Sequence, residues 1–189
     1  DSLKQFTRYL LTLQLKKQQL QTVIRQSYAE IEELKVKQKE AVEGMKSWIA
    51  VYGENSSWSE ERSISHLVKV KEVKKTKGNI AGVEVPVFQS LVFEDVPYDL
   101  RVYPWGVDKA IVALGEIARY DALIETLKER IRLLDKELRT TTQRVNLFEK
   151  VKIPEAKENI RKIGIYLQDQ QTSAVVRGKI AKKKLGKVS

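Results

Sequence analysis

The chain has no cysteine, one histidine and one methionine in 189 residues. Without cysteine there are no disulfides, no thiolate zinc sites and no thiol catalysis, and the composition suits a reducing compartment. The single histidine, His66, offers no basis for a metal site, which needs several converging ligands. Beside an apolar run it reads as a packing or surface residue. No apolar stretch approaches the ~18 residues of a membrane-spanning helix, and the first residues do not have the pattern of a secretory signal. The expectation is a soluble, intracellular chain. Phosphate-binding chemistry is also missing: GNIAG (78–82) lacks the Gly-Lys-Ser/Thr of a phosphate loop and reads as a turn. No catalytic residue, metal ligand or cofactor is expected.

Aromatic residues are scarce at 7%, whereas charged residues reach 32%. A compact domain of this length would hold more bulky rings. Long amphipathic helices rich in Leu, Ile, Lys and Glu fit the balance better. The net charge of +10 is uneven. Residues 1–52 carry nine basic and six acidic groups, and residues 53–105 carry seven and eight. Residues 106–171 carry thirteen and eleven, and residues 172–189 carry six and none. Most of the excess is therefore a C-terminal segment, RGKIAKKKLGKVS. Such a segment commonly meets nucleic acid or an acidic protein face.

What the chain does have is two long apolar stripes. A seven-residue frame from Leu3 gives Leu3, Phe6, Leu10, Leu13, Lys17, Leu20, Ile24, Ser27, Ile31, Leu34, Gln38, Ala41, Met45, Trp48 and Tyr52. It holds for seven heptads without a proline. A 3.5-residue repeat keeps one seam facing a partner helix, so the pattern predicts a coiled-coil helix over 1–52. A second frame runs Ala110, Ala113, Ile117, Tyr120, Ile124, Leu127, Ile131, Leu134, Leu138, Thr141, Val145 and Phe148. It then slips by one residue and resumes as Ile153, Ala156, Ile160, Ile163 and Leu167. The slip coincides with Pro154, which removes a backbone donor and crowds the preceding turn. One helix over 106–171, kinked near Pro154, is preferred to a helix that ends at Lys152 and restarts. At 1.5 Å per residue each helix would span roughly 75–95 Å. The fold class expected is mainly α: a long antiparallel two-helix coiled coil with both termini at one end.

The segment between the stripes, 53–105, has another character. GENSSWSEER (53–62) is a polar loop. SISHLVKVKEV (63–73) and IAGVEVPVFQSLVF (80–93) are strand-like, with a turn placed at KKTKGN (74–79). Together they predict a small β-hairpin, and Pro86 confines its strand to an edge or bend. EDVPYDLRVYPWG (94–106) is a loop. The basic tail, 172–189, completes four segments.

Two features point to partners. One is the basic group Arg177, Lys179, Lys182, Lys183, Lys184 and Lys187, which lacks the interleaved aromatics or reading module of a nucleic-acid binder. The other is a set of apolar residues off the seam: Val42, Ile49, Val51, Val112 and Leu123. Several exposed apolars near one another mark a contact surface.

The stretch RVNLFEKVKIPEAKENIRKI (144–163) resembles the C-terminal helix signature of the D subunits of V-type (A/V-type) rotary ATPases. The residues at the motif positions are Arg144, Val145 and Asn146, then Phe148 with Glu149, Ile153 with Pro154, and Ile160. LQLKKQQLQ (13–21) looks like the family's Leu- and Lys-rich first helix, and GVEVPVFQSLVF (82–93) resembles the hairpin of its bacterial members. The chain departs from the family in two ways. It starts later, and Phe148 stands where the signature has a small residue.

The resemblance implies a non-catalytic central stalk inside a hexamer of alternating A and B subunits. The small F subunit of the stalk would bind near the hairpin end, and a funnel-shaped C subunit (d-type) would couple the stalk to the membrane rotor ring. The protein would be cytoplasmic and peripheral to the membrane, without inserting. Arg177, Lys179 and Lys182–Lys184 would face the hexamer, and Val42, Ile49, Val51, Val112 and Leu123 would meet the F subunit. Two other readings compete. A prefoldin-like holdase also joins two helices through β-hairpins, but would be shorter and self-assembling. A basic coiled-coil nucleic-acid tether would bind DNA with a steep salt dependence.

Overall fold

A computed structural model describes residues 1–53, 67–99, 101 and 106–187, with side chains for 1–47 and throughout the later ranges. Helix α1 is Ser2–Gly53, followed by strands β1, Val70–Ile80, and β2, Val83–Phe93. Helix α2 is Val107–Leu147 and helix α3 is Ile153–Leu185, with a π-turn at Phe148–Lys152 between them. The chain is mainly α, with one small antiparallel hairpin among the described residues. Of the loop expected at 53–62, Gly53 is instead the last residue of α1, and the rest, like His66, lies outside the described residues.

The chain forms two compact units, one of residues 18–139 and one of residues 1–17 with 140–189. In the first, α1 and α2 run antiparallel. Its core is built from seam residues Leu20, Ile24 and Ile31 against Ile124, Leu127, Ile131 and Leu134. Leu20 and Leu134 are completely buried. The stripe forms because a side chain every three or four residues falls on one helix face, and removing that face from water drives the pairing.

The polar seam positions are also enclosed. Ser27 and Thr141 are 1% exposed. Half-buried Gln38 donates to Asp121 Oδ1 at 2.5 Å and to the Ile117 carbonyl at 3.3 Å. That cross-helix pair favours one alignment of α1 on α2.

The hairpin belongs to the same unit. Val85 of β2 is 2% exposed and joins the helix core, with Ile80, Ala81 and Val83 packed beside it. The strands pair from Val70–Phe93 to Ile80–Val83. The turn is therefore Ala81–Gly82 and not the KKTKGN stretch, which lies in β1. Both turn residues have positive φ, 52° and 81°, as a two-residue hairpin turn matched to the strand twist requires. The Gly82 amide donates to the Asn79 side chain at 3.0 Å. Gly78 serves packing, not the turn: a Cβ there would lie 2.9 Å from Val87 Cγ2 across the ladder. Pro86 pairs with Lys77 in a two-stranded sheet, where every strand is an edge.

In the second unit the N-terminal end of α1 runs antiparallel to α3 and the end of α2. Leu13, Val145 and Ala156 are buried. The ring of Phe148 meets Phe6 edge-on at 5.6 Å and Tyr9 at 4.9 Å between centroids.

The expected break near Pro154 takes the form of the π-turn. Seam residue Phe148 is followed by Ile153 five positions later, where the frame needs four. Winding five residues into one wide turn absorbs the extra one. The backbone stays helical throughout: Leu147 has φ −60° and ψ −46°, and Ile153 has −69° and −48°. Pro154 follows in the first turn of α3, where its missing N–H costs least. The helical segment is continuous from Val107 to Leu185, so Arg177, Lys179, Lys182, Lys183 and Lys184 of the expected tail are part of α3, and Lys187 lies just beyond it.

Candidate functional site

The described residues hold no cluster of His, Cys, Asp or Glu able to bind a metal, and no helix long and apolar enough to cross a membrane. The candidate surfaces are the exposed apolar and basic stretches.

The motif residues 144–160 fall at the π-turn. Val145 is buried, Ile153 is half-buried, and Arg144, Asn146 and Pro154 are exposed. Glu149 Oε1 accepts a hydrogen bond from Gln14 Nε2 at 2.8 Å. Phe148, the departure from the family pattern, fills the space between Phe6 and Tyr9. Part of the motif therefore fixes the wide turn against α1, and its outward residues are free to face a partner.

Beyond Ala156, every described residue of α3 is exposed. These include Ile160, Ile163 and Leu167 of the resumed stripe, and Tyr166, Val175 and Ile180. A bare helix with this many exposed apolars lacks a covering surface. Arg177, Lys179, Lys182, Lys183 and Lys184 lie on the same exposed stretch. The last three occupy the final turn of α3, where positive charge also offsets the helix dipole. Arg161 is engaged by Glu158 at 2.6 Å; this hydrogen bond holds the glutamate below its ordinary pKa.

The off-seam apolars separate. Val112 is 71% exposed and borders a groove between β2 and α2, with Leu91, Phe93 and Ile111 among its walls. Val42 is half-buried. Leu123 is half-buried in a cleft with Val87 and Phe88 of the hairpin, so the chain itself already partly covers it. The side chains of Ile49 and Val51 lie outside the described residues.

Two features carry no mark in the heptad pattern. Thr126 is 2% exposed although it lies off the seam. It lines that same cleft with Val87 and Phe88, and its hydroxyl donates to the Ala122 carbonyl at 2.7 Å. The signal would have been the extra apolar positions of α2 around it, which a hairpin can cover. Arg130 lines the cleft too, and its Nε is buried without a partner among the described residues.

The family profile for the D subunit of ATP synthase matches residues 1–183. The V-type ATP synthase D subunit of Borreliella burgdorferi is 47% identical over 188 residues, covering 98% of this chain and 89% of the relative. That of Chlamydia muridarum is 33% identical over 177 residues, covering 94% and 86%. That of Chlamydia pneumoniae is 32% identical over 184 residues, covering 94% and 83%.

Proposed function

The chain belongs to the ATP synthase D-subunit family, and from that premise we propose that it is the non-catalytic central stalk of a V-type rotary ATPase. It transmits torque between the ATP-hydrolysing A/B hexamer and the membrane rotor ring, which it reaches through the C subunit (d-type). The observation that carries this reading is the continuous helix from Val107 to Leu185, closed on α1 by an apolar seam and bare beyond Ala156. A seam of this kind resists unwinding. A bare amphipathic end suits insertion into a surrounding partner.

In this reading the exposed apolars of α3, with Arg177, Lys179 and Lys182–Lys184, face the interior of the hexamer. Val42, Ile49, Val51 and Val112, with Leu123 at the margin, meet the F subunit. The four segments 1–52, 53–105, 106–171 and 172–189 serve as shaft helix, partner-facing module, shaft helix and inner tip. The π-turn and Pro154 make the shaft asymmetric, so that the catalytic sites around it differ. The protein is cytoplasmic and reaches the membrane only through the complex.

The test is assembly. The chain is mixed with A, B and F subunits from the same organism, and the mass of the product is measured. One copy per A/B hexamer with F bound supports the reading. A self-assembled oligomer that ignores A and B and holds unfolded clients overturns it. Reversing Lys182, Lys183 and Lys184 to Glu should weaken assembly most at low salt.

A further inference from the structure

We infer that the outer edge of β1 is a docking strand, which takes up an extended acidic segment of a partner protein. The sheet has two strands, so among the described residues β1 pairs on one side only. The strand is eleven residues long, and all but Val73, Gly78 and Ile80 are exposed. Its partner β2 is half-buried along most of its length and holds the hairpin on the helices through buried Val85. The unpaired backbone of β1 is thus presented outward on a fixed support. Natural edge strands are usually kept short or covered, because a row of free N–H and C=O groups recruits another strand. An edge twice the common strand length of about five or six residues departs from that practice.

The charge specifies the occupant. Residues 69–77 hold five lysines, Lys69, Lys71, Lys74, Lys75 and Lys77, against one acid, Glu72. Lys77 pairs with Glu84 across the ladder at 2.8 Å, which raises the lysine above its ordinary pKa. Lys75 acts on Glu129 through space. Lys69, Lys71 and Lys74 have no acidic partner within ion-pair distance among the described residues. Lysines on an edge do discourage self-pairing, and the same charges select a strand of opposite sign. Backbone bonds supply the affinity in strand addition and the flanking side chains the choice of partner. The register with β2 shifts twice: between Val70 and Glu72, where Lys71 of β1 has no partner, and between Lys74 and Lys75, where Gln89 of β2 has none. No residue of β1 is skipped from Glu72 on, and the docking segment lies over Glu72–Lys77.

This inference rests on the stalk reading, and the experiment keeps the two apart. Backbone amide exchange of residues 69–80 is followed in the free chain and in the complex assembled with A, B, F and C. A second sample carries Lys71→Glu, Lys74→Glu and Lys75→Glu, with its helix content and melting first matched to the parent. Strand addition slows exchange of the β1 amides on assembly by about tenfold or more, and the triple variant loses that protection and binds more weakly, most of all at low salt. Unchanged β1 exchange in a complex that does assemble overturns the docking strand and leaves the stalk reading standing. Protection that appears in the free chain as its concentration rises assigns the edge to a second copy of this chain and overturns the acidic partner. Failure to assemble at all removes the stalk reading and this inference with it.

Discussion

Ile153 donates its backbone N–H to the carbonyl of Phe148, five residues back instead of four. The bond marks the point where the apolar stripe changes frame, and it sits one residue before Pro154. Either the proline or the extra residue could impose the wide turn, and the two causes make different predictions. If the extra residue is responsible, Pro154→Ala keeps the bond, because Phe148 and Ile153 still both have to face α1. Deleting Val151 then restores regular α-helical spacing and removes the bond, with the melting temperature held or raised. Backbone amide shifts or a crystal structure of each variant decide between them. A regular helix in Pro154→Ala would assign the turn to the proline.

The frame change also bears on function. In the assembled complex, Pro154→Ala and the Val151 deletion should alter hexamer affinity or ATP turnover, since each changes the surface just beyond the seam. Unchanged behaviour of both variants would remove the proposed asymmetry of the shaft.

Leu20 and Leu134 are completely buried. Replacing either with Ala should cost about 2–5 kcal/mol, through lost transfer energy and the cavity left behind. Leu15 is 59% exposed, and the same change there should stay within roughly 0.5 kcal/mol. Urea unfolding followed by circular dichroism measures all three.

Ala81 has φ 52°, a left-handed conformation that costs an L-residue about 1–2 kcal/mol. Glycine carries no such penalty but loses roughly 0.5–1 kcal/mol of chain entropy. Ala81→Gly should therefore stabilise the hairpin by a few tenths of a kcal/mol to about 1. Gly78→Ala should do the reverse, because its Cβ would collide with Val87. Amide exchange across the hairpin would report both changes.

Three exposed glutamates accept hydrogen bonds from cations one helical turn on: Glu33 from Lys37, Glu129 from Arg132 and Glu158 from Arg161. Each bond holds its carboxyl below the ordinary value of 4.5. A carboxyl lowered in the folded state adds stability that is present above its unfolded pKa and lost as pH falls through the folded one. The melting temperature should thus be flat near neutrality and decline only in acid. The decline should be shallow, because exposed pairs are screened by solvent, and added salt should reduce it further.

The seam was legible because its signal is repeated: each heptad restates the same face, and one polar residue such as Ser27 or Gln38 does not erase it. The frame slip at 148–153 was legible for the same reason, but its form was not, since a kink, a break and a π-turn share one spacing. The hairpin was legible as two strands and misplaced at its turn. Lys-Lys-Thr-Lys-Gly-Asn has the composition of a loop, yet its lysines lie on a strand open to water. Gly78 is required by the nearness of Val87, a contact no local pattern reveals. The surfaces were the least legible part. An exposed Val112 and a hairpin-covered Leu123 look alike in sequence, and what separates them is a fold contact between distant residues.

The central claim is that this chain turns inside its complex. A reflective probe fixed to a cysteine introduced at exposed Glu84 of β2, with the A/B hexamer held on a surface, reports it directly. The account predicts steady rotation of the probe in one direction while ATP is supplied, stopping when ATP is exhausted. A probe that stays still while the same complexes continue to hydrolyse ATP would contradict it.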